Sequence, residues 1–219
     1  MKSDTLVVLV HGFCRGGKNM LYWKKELSSE FPNIVTADLP TTHSSFKRCL
    51  EVLADTLEKA EIEKYSELYI AGHSMGGLLA REYLAKYQPR NAAKLVCVGT
   101  PHYGSKLADL ALVLGFPWSG IVFPPLWALR GRARRKLTTP EIPGLKIGVI
   151  ASKNNAHWPG KLFLSKDADG LVESFSALAP DACAQVLVNA PHDPMQYDAE
   201  VAALIKRFFV NGKFDIAEE

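Results

Sequence analysis

Ser74 lies in the segment Gly72-His73-Ser74-Met75-Gly76-Gly77, directly after the apolar run 68–71 and at the head of a helical pattern. A serine framed by glycines at a strand-to-helix turn has the makings of an activated nucleophile. Such a turn is sharp enough to force a strained backbone at the serine, so the residues two positions either side must be tiny. Gly72 and Gly76 leave that room, and Gly77 lets helix and strand approach. The helix start also aims free N–H groups at the point where negative charge would develop. Ordinary glycine-rich turns share the bare pattern, but here both flanks match it. A second cluster, His11-Gly12-Phe13, follows the apolar run 6–10. His11 is tempting as a base, yet its place at a strand end before a glycine suits a structural hydrogen bond better.

These residues need elements to hold them. Runs 6–10, 33–38, 68–71, 94–99, 145–151 and 183–189 are short and apolar without polar alternation, which suits strands covered on both faces. Helical spacing falls between them. Residues 45–64 place Leu50, Leu53, Ala54, Leu57 and Ala60 on one side. Residues 78–87 follow the glycine turn, and 195–209 put Val201, Leu204, Ile205 and Phe208 on one face. This alternation predicts an α/β architecture with a mainly parallel sheet of six strands and helices on both faces.

One stretch breaks the rhythm. Residues 105–143, between the fourth and fifth strands, are too long for an ordinary connection and are expected to form a cap or lid. Their middle, 107–129, is apolar and holds Phe116, Trp118, Phe123 and Trp127, the residues expected to line a substrate pocket. Asp109 and the breaks at Phe116-Pro117 and Phe123-Pro124-Pro125 argue against a membrane span. Arg130, Arg132, Arg134, Arg135 and Lys136 follow directly. An aromatic segment ending in a basic run suggests peripheral contact with an anionic membrane; a packed cap with a solvated basic edge is the plainer reading.

The 219 residues suffice for one sizeable core, so residues 1–219 are read as one domain. A net charge of +3 argues against general nucleic-acid binding. The run 6–10 is too short for a signal-peptide core, so a cytoplasmic location is expected. The four scattered cysteines have no metal-ligand spacing and read as free thiols. No metal or cofactor is implied. Of the other histidines, His73 is read as shaping the turn and His102 as fixing a loop. His43 lies near the expected substrate entry, and His157 is given no chemistry.

Residues 6–13, the Gly72–Gly77 motif written above and Gly99-Thr100-Pro101-His102-Tyr103-Gly104 together resemble the lipase and carboxylesterase branch of the α/β-hydrolase family. Asp169-Gly170-Leu171-Val172 resembles the acid-bearing loop of bacterial lipases. The first strand of the chain corresponds to the third strand of the full family fold, which makes this a minimal version. The resemblance implies a triad in the order Ser, Asp, His. The acid then follows the penultimate strand: Asp169, with Asp167 as rival. The base follows the last strand, and His192 is the sole histidine beyond Asp169. Asp193 beside it is expected to start a helix. The amides of Phe13 and Met75 become the oxyanion donors. The implied substrate is a small-molecule acyl ester, lipid-like or of medium-to-long chain, cleaved through an acyl-enzyme. A thioesterase or acyltransferase on the same triad stays open, as does a non-catalytic lipid-binding protein of this fold.

Overall fold

The structure is a computed structural model, and it describes residues 2–115, 118–155 and 160–214. Its strands are β1 (Thr5–Val10), β2 (Asn33–Ala37), β3 (Glu67–His73), β4 (Ala92–Val98), β5 (Lys146–Ser152) and β6 (Ala184–Val188). They form one sheet in the order β2-β1-β3-β4-β5-β6. Each neighbouring pair is parallel. From β1 the chain first steps outward to β2 and then returns to the other side of β1 as β3. The loops after β1 and β3 therefore diverge at the carboxyl end of the sheet, where a crevice opens. Val10 sits opposite Gly72 in that ladder, so the two glycine-bearing turns emerge side by side.

Helix α1 (Leu21–Leu27) follows β1, α2 (Phe46–Lys59) links β2 to β3, and α3 (Met75–Tyr87) follows β3. Helices α4 (Lys106–Leu114), α5 (Trp118–Val122) and α6 (Leu126–Leu129) lie between β4 and β5. Between β5 and β6 come α7 (Gly160–Phe163) and α8 (Ser174–Ala177), and α9 (Ala199–Asn211) follows β6. Alternate strand residues serve two cores. Leu6, Val8 and Val10 of β1 face α2 and α3, packing with Leu53, Leu57, Leu79 and Leu84. Val7 and Leu9 face the other way, with Trp23 and Leu27 of α1 and Phe208 and Phe209 of α9. Fully burying one such side chain stabilises the fold by roughly 1.5–3 kcal/mol.

Two expected helices are corrected at their ends. The pattern over 45–64 stops at Lys59, because Glu61 takes a left-handed backbone (φ 51°) and a short 3-10 turn, Ile62–Lys64, follows. The pattern over 195–209 is split: Asp193–Tyr197 is a 3-10 turn with Pro194 in its first turn. α9 then starts afresh, its N-terminal amide at Val201 bonding the Asp198 side chain at 3.0 Å. Among the described residues no helix is long and apolar enough to cross a membrane.

Candidate active site

Ser74 occupies the turn between β3 and α3 with φ 53° and ψ −123°, a conformation that costs a non-glycine residue energy. Close packing imposes it. A side chain on Gly72 would meet the backbone of Gly76 and Gly77 at about 2.5 Å, and one on Gly76 would press on the carbonyls of Val10 and His11. The turn is thus wedged between its own helix and the end of β1. α3 begins at Met75, whose amide has no carbonyl one turn earlier to bond.

His192 and Asp169 stand across the crevice. The His192 ring Nδ1 lies 2.6 Å from Asp169 Oδ2, and both side chains are buried. With a carboxylate as acceptor, Nδ1 carries the proton and Nε2 is left with its lone pair. The Asp169 carboxylate is itself fixed: Oδ1 accepts from the amides of Leu171 and Val172 at 2.9 and 2.7 Å. The backbone N–H of His192 donates to the Asp169 carbonyl at 2.9 Å, so acid loop and base loop are joined twice. Burial pulls the imidazole of His192 down, but the charge and hydrogen bond of Asp169, with Asp193 assisting, outweigh it and leave the group above its ordinary value. Asp167, the rival acid, is exposed, and its carbonyl accepts from Ser174 N at 2.9 Å.

The neighbours explain the remaining histidines. His73 Nε2–H donates to the carbonyl of His192 at 3.0 Å, with the two rings 4.9 Å apart. Burial, and then the charge that His192 can carry, push His73 far below its usual range and keep it neutral. His11 Nε2 accepts from Leu39 N at 2.9 Å and Nδ1 donates to the Gly12 carbonyl, a structural role. His102 is buried just after β4; burial first, then Arg81 and Arg134, lower it to about 2. His157 lies outside the described residues.

Ser74 and His192 line one cavity of about 270 Å³, together with Gly12, Phe13 and His73. Its apolar wall is aliphatic: Leu107 and Ala108 of α4, Leu126 and Leu129 of α6, and Leu171 and Val172 of the acid loop. The aromatic residues expected to line it are placed as follows. Phe123 packs edge-on against Phe13 at 6.0 Å and stacks with His43 at 5.8 Å. Trp127 donates its indole N–H to the Gly120 carbonyl and lies under Arg130. Trp118 is 72% exposed. Phe116 lies outside the described residues. α5 and α6 are too short to carry a periodic signal, so aromatic content alone could not reveal which side chains turn inward.

The basic run is likewise divided. Arg130 pairs with Asp109 at 3.2 Å, and Arg134 is buried, with its guanidinium 4.6 Å from the Phe46 ring centre. Arg132, Arg135 and Lys136 remain exposed. Three residues of the site escaped the sequence. Gly99 has φ 55°, and a side chain there would lie 3.2 Å from His192 Nδ1 and 3.3 Å from Asp169 Oδ2. Its place at the head of the Gly99–Gly104 motif was the available signal. Arg15 and Asp193 form an ion pair at 2.7 Å on the cavity wall, and only spatial proximity reveals it. Asp193 does start a helical turn, as expected, but it does not point elsewhere: its carboxylate pairs with Arg15 at the cavity.

The family described as alpha/beta hydrolase fold matches residues 5–120. A triacylglycerol lipase of Pseudarthrobacter phenanthrenivorans is 32% identical over 112 residues, an alignment covering 47% of this chain and 35% of that protein. The chain spans about a third of the length of the curated relatives it matches. Among solved structures, the mature lipase BlEst2 of Bacillus licheniformis has a TM-score of 0.70 at 16% identity, covering 91% of this chain and 90% of that one. A thioesterase, RedJ, from the prodiginine biosynthetic pathway in Streptomyces coelicolor gives a TM-score of 0.58 at 16% identity, covering 95% and 85%. At those identities the likeness is one of fold.

Proposed function

The chain belongs to the α/β-hydrolase fold family, and from that premise we propose that it is a carboxylic ester hydrolase working through Ser74, His192 and Asp169. One observation carries the reading: the strained Ser74 shares its cavity with a histidine whose far nitrogen is held by a buried carboxylate. In this reading His192 Nε2 takes the Ser74 proton as Oγ attacks the acyl carbonyl. Asp169 fixes the tautomer and stabilises the imidazolium. The amides of Phe13 and Met75 hold the oxyanion, and His192 returns the proton to the departing alkoxide. Water, deprotonated by the same histidine, then releases the acid. The acyl group lies against Leu107, Leu126, Leu129 and Val172. A cavity of about 270 Å³ is at the small end of ligand pockets, which suits a short-to-medium acyl group.

Hydrolysis of p-nitrophenyl esters of rising chain length, by wild type and Ser74→Ala, tests this reading. Turnover with a medium-chain optimum is expected, and a loss of roughly 10⁴-fold or more in the variant. Acyl thioesters run in parallel decide whether thioesters are the better substrate, as in the RedJ neighbour. A folded wild type without turnover on either would leave lipid binding without catalysis as the better account.

The helical insertion also supports contact with an anionic lipid surface. Val113, Leu114, Trp118, Ile121 and Val122 are exposed on α4 and α5, with Arg132, Arg135 and Lys136 exposed beyond α6. Sedimentation with phosphatidylglycerol vesicles, but not phosphatidylcholine ones, is expected. Retention of that binding by the double variant Trp118→Ser, Ile121→Ser would contradict it.

A further inference from the structure

In the sheet order, β1 and β6 are separated by β3, β4 and β5, so no ladder hydrogen bond sets the distance between the loops that follow them. Yet one of these loops carries Phe13 and the other carries His192. Catalysis in the proposed site depends on their relative placement to within about an ångström. Something beyond the sheet must hold them.

Arg15 bridges that gap. Its Nη2 lies 2.7 Å from Asp193 Oδ2, and its Nη1 donates to the Cys14 carbonyl at 3.0 Å. Cys14 itself is held at φ 52°, and Thr41 Oγ1 donates to the Gly12 and Arg15 carbonyls at 2.9 and 3.3 Å. The guanidinium therefore clasps its own turn and the residue next to His192 at once. Both side chains line the cavity and are about one-third exposed, 31% and 37%. We propose that Arg15 and Asp193 are a positioning pair, locking the Phe13 loop to the His192 loop and balancing charge beside the His192 imidazole. The pair does not touch the reacting atoms and acts through His192. The inference rests on the reading of His192 as the base.

The charge balance has a definite sign. Four groups face the His192 ring: Asp169 from the acid loop, His73 from β3, Asp193 from its own loop and Arg15 from the loop after β1. His73 stays neutral, and Asp169 is common to all the variants considered. Asp193 favours the imidazolium and Arg15 opposes it. Removing one leaves the other uncompensated. Two further bonds join the segments that follow β1 and β6, Trp23 Nε1 of α1 to the Met195 carbonyl at 3.2 Å and Asn19 Nδ2 to Tyr197 OH at 2.7 Å. The fold is therefore expected to survive loss of the ion pair.

The test is the pH dependence of kcat/KM on a p-nitrophenyl ester for wild type, Arg15→Met, Asp193→Asn and the double variant. A general base must be neutral, so kcat/KM rises with pH through the His192 pKa. Asp193→Asn should move that limb to lower pH and Arg15→Met to higher pH. Each shift should be about half a pH unit, the effect of one partly screened charge. The double variant should return near the wild-type midpoint with a reduced kcat, since the lock is still missing. A His192-dependent limb that stays fixed in both single variants, or moves the same way in both, would overturn the inference while leaving the base intact. Activity that survives His192→Ala would instead remove the reading on which it rests.

Discussion

The floor of the site and the helical insertion above it are built by different rules. The floor is made of backbone pressed on backbone, since side chains at Gly72 or Gly76 would collide with main-chain atoms. Asp169 and His192 are buried there as a pair, and the buried Arg81 of α3 is held by Asp181 through two bonds of 2.8 and 2.9 Å. The insertion meets the cavity through a few aliphatic residues of α4 and α6. It leaves Val113, Leu114, Trp118 and Ile121 to solvent. Its root is tied down by Ser105 to the Leu171 carbonyl, Lys106 to Glu173 and Asp109 to Arg130 and Gly131. Chemistry that needs fixed atoms sits where the backbone leaves no room for an added side chain, and the outer face of the insertion sits where residues can change at small cost.

Substitutions can break or sharpen that contrast. The largest loss is expected at Asp181→Ala, which strands the Arg81 guanidinium, itself only 1% exposed. Leaving a buried charge without its partner costs about 3–5 kcal/mol, readable as a drop in the urea midpoint. Next comes Gly99→Ala, whose methyl would crowd the Asp169–His192 contact. A misplacement of that kind should lower kcat roughly 100-fold, with KM little changed.

Acid reads both regions. His73 on the floor and His102 at the root of the insertion are buried neutral, each with its folded pKa depressed. For a depressed histidine the unfolded chain takes up the proton first, so stability is intact above the unfolded value near 6.5 and falls as pH drops below it. Each contributes a slope of about 1.4 kcal/mol per pH unit. His102→Gln should therefore flatten the acid decline of the urea-derived stability between about pH 6 and pH 4. An unchanged slope would mean that His102 is protonated in the folded protein. The smallest effect belongs to Trp118→Ala, 72% exposed on α5. Its change in stability should stay within about 0.5 kcal/mol, while vesicle binding falls.

The contrast also explains what could be read from the residues alone. β1 to β6 and the Ser74 turn were legible because fully covered strands and a glycine-bracketed serine leave local marks. Asp169 and His192 were reached through the resemblance and chain order rather than from local pattern. α1 went unrecognised because seven residues burying only Trp23 and Leu27 carry too little periodicity. The basic run read as one solvated edge, yet Arg134 folds inward over Phe46, a choice made by tertiary packing. Trp118 and Trp127 were expected to line the pocket; both are exposed to solvent, while Leu126 and Leu129 line the cavity. In helices of one turn, composition does not say which face is buried. Arg15 and Asp193 are 178 residues apart in numbering and meet because β1 and β6 run parallel and both finish at the carboxyl end of the sheet.

The most direct measurement is covalent labelling with a fluorophosphonate probe, comparing wild type, Ser74→Ala and His192→Ala, with the modified peptide identified by mass spectrometry. The account predicts stoichiometric label on Ser74 in the wild type, none in Ser74→Ala, and strongly slowed labelling in His192→Ala. A folded wild type that takes no label, or takes it on another residue, would contradict the claim that Ser74 is the activated nucleophile.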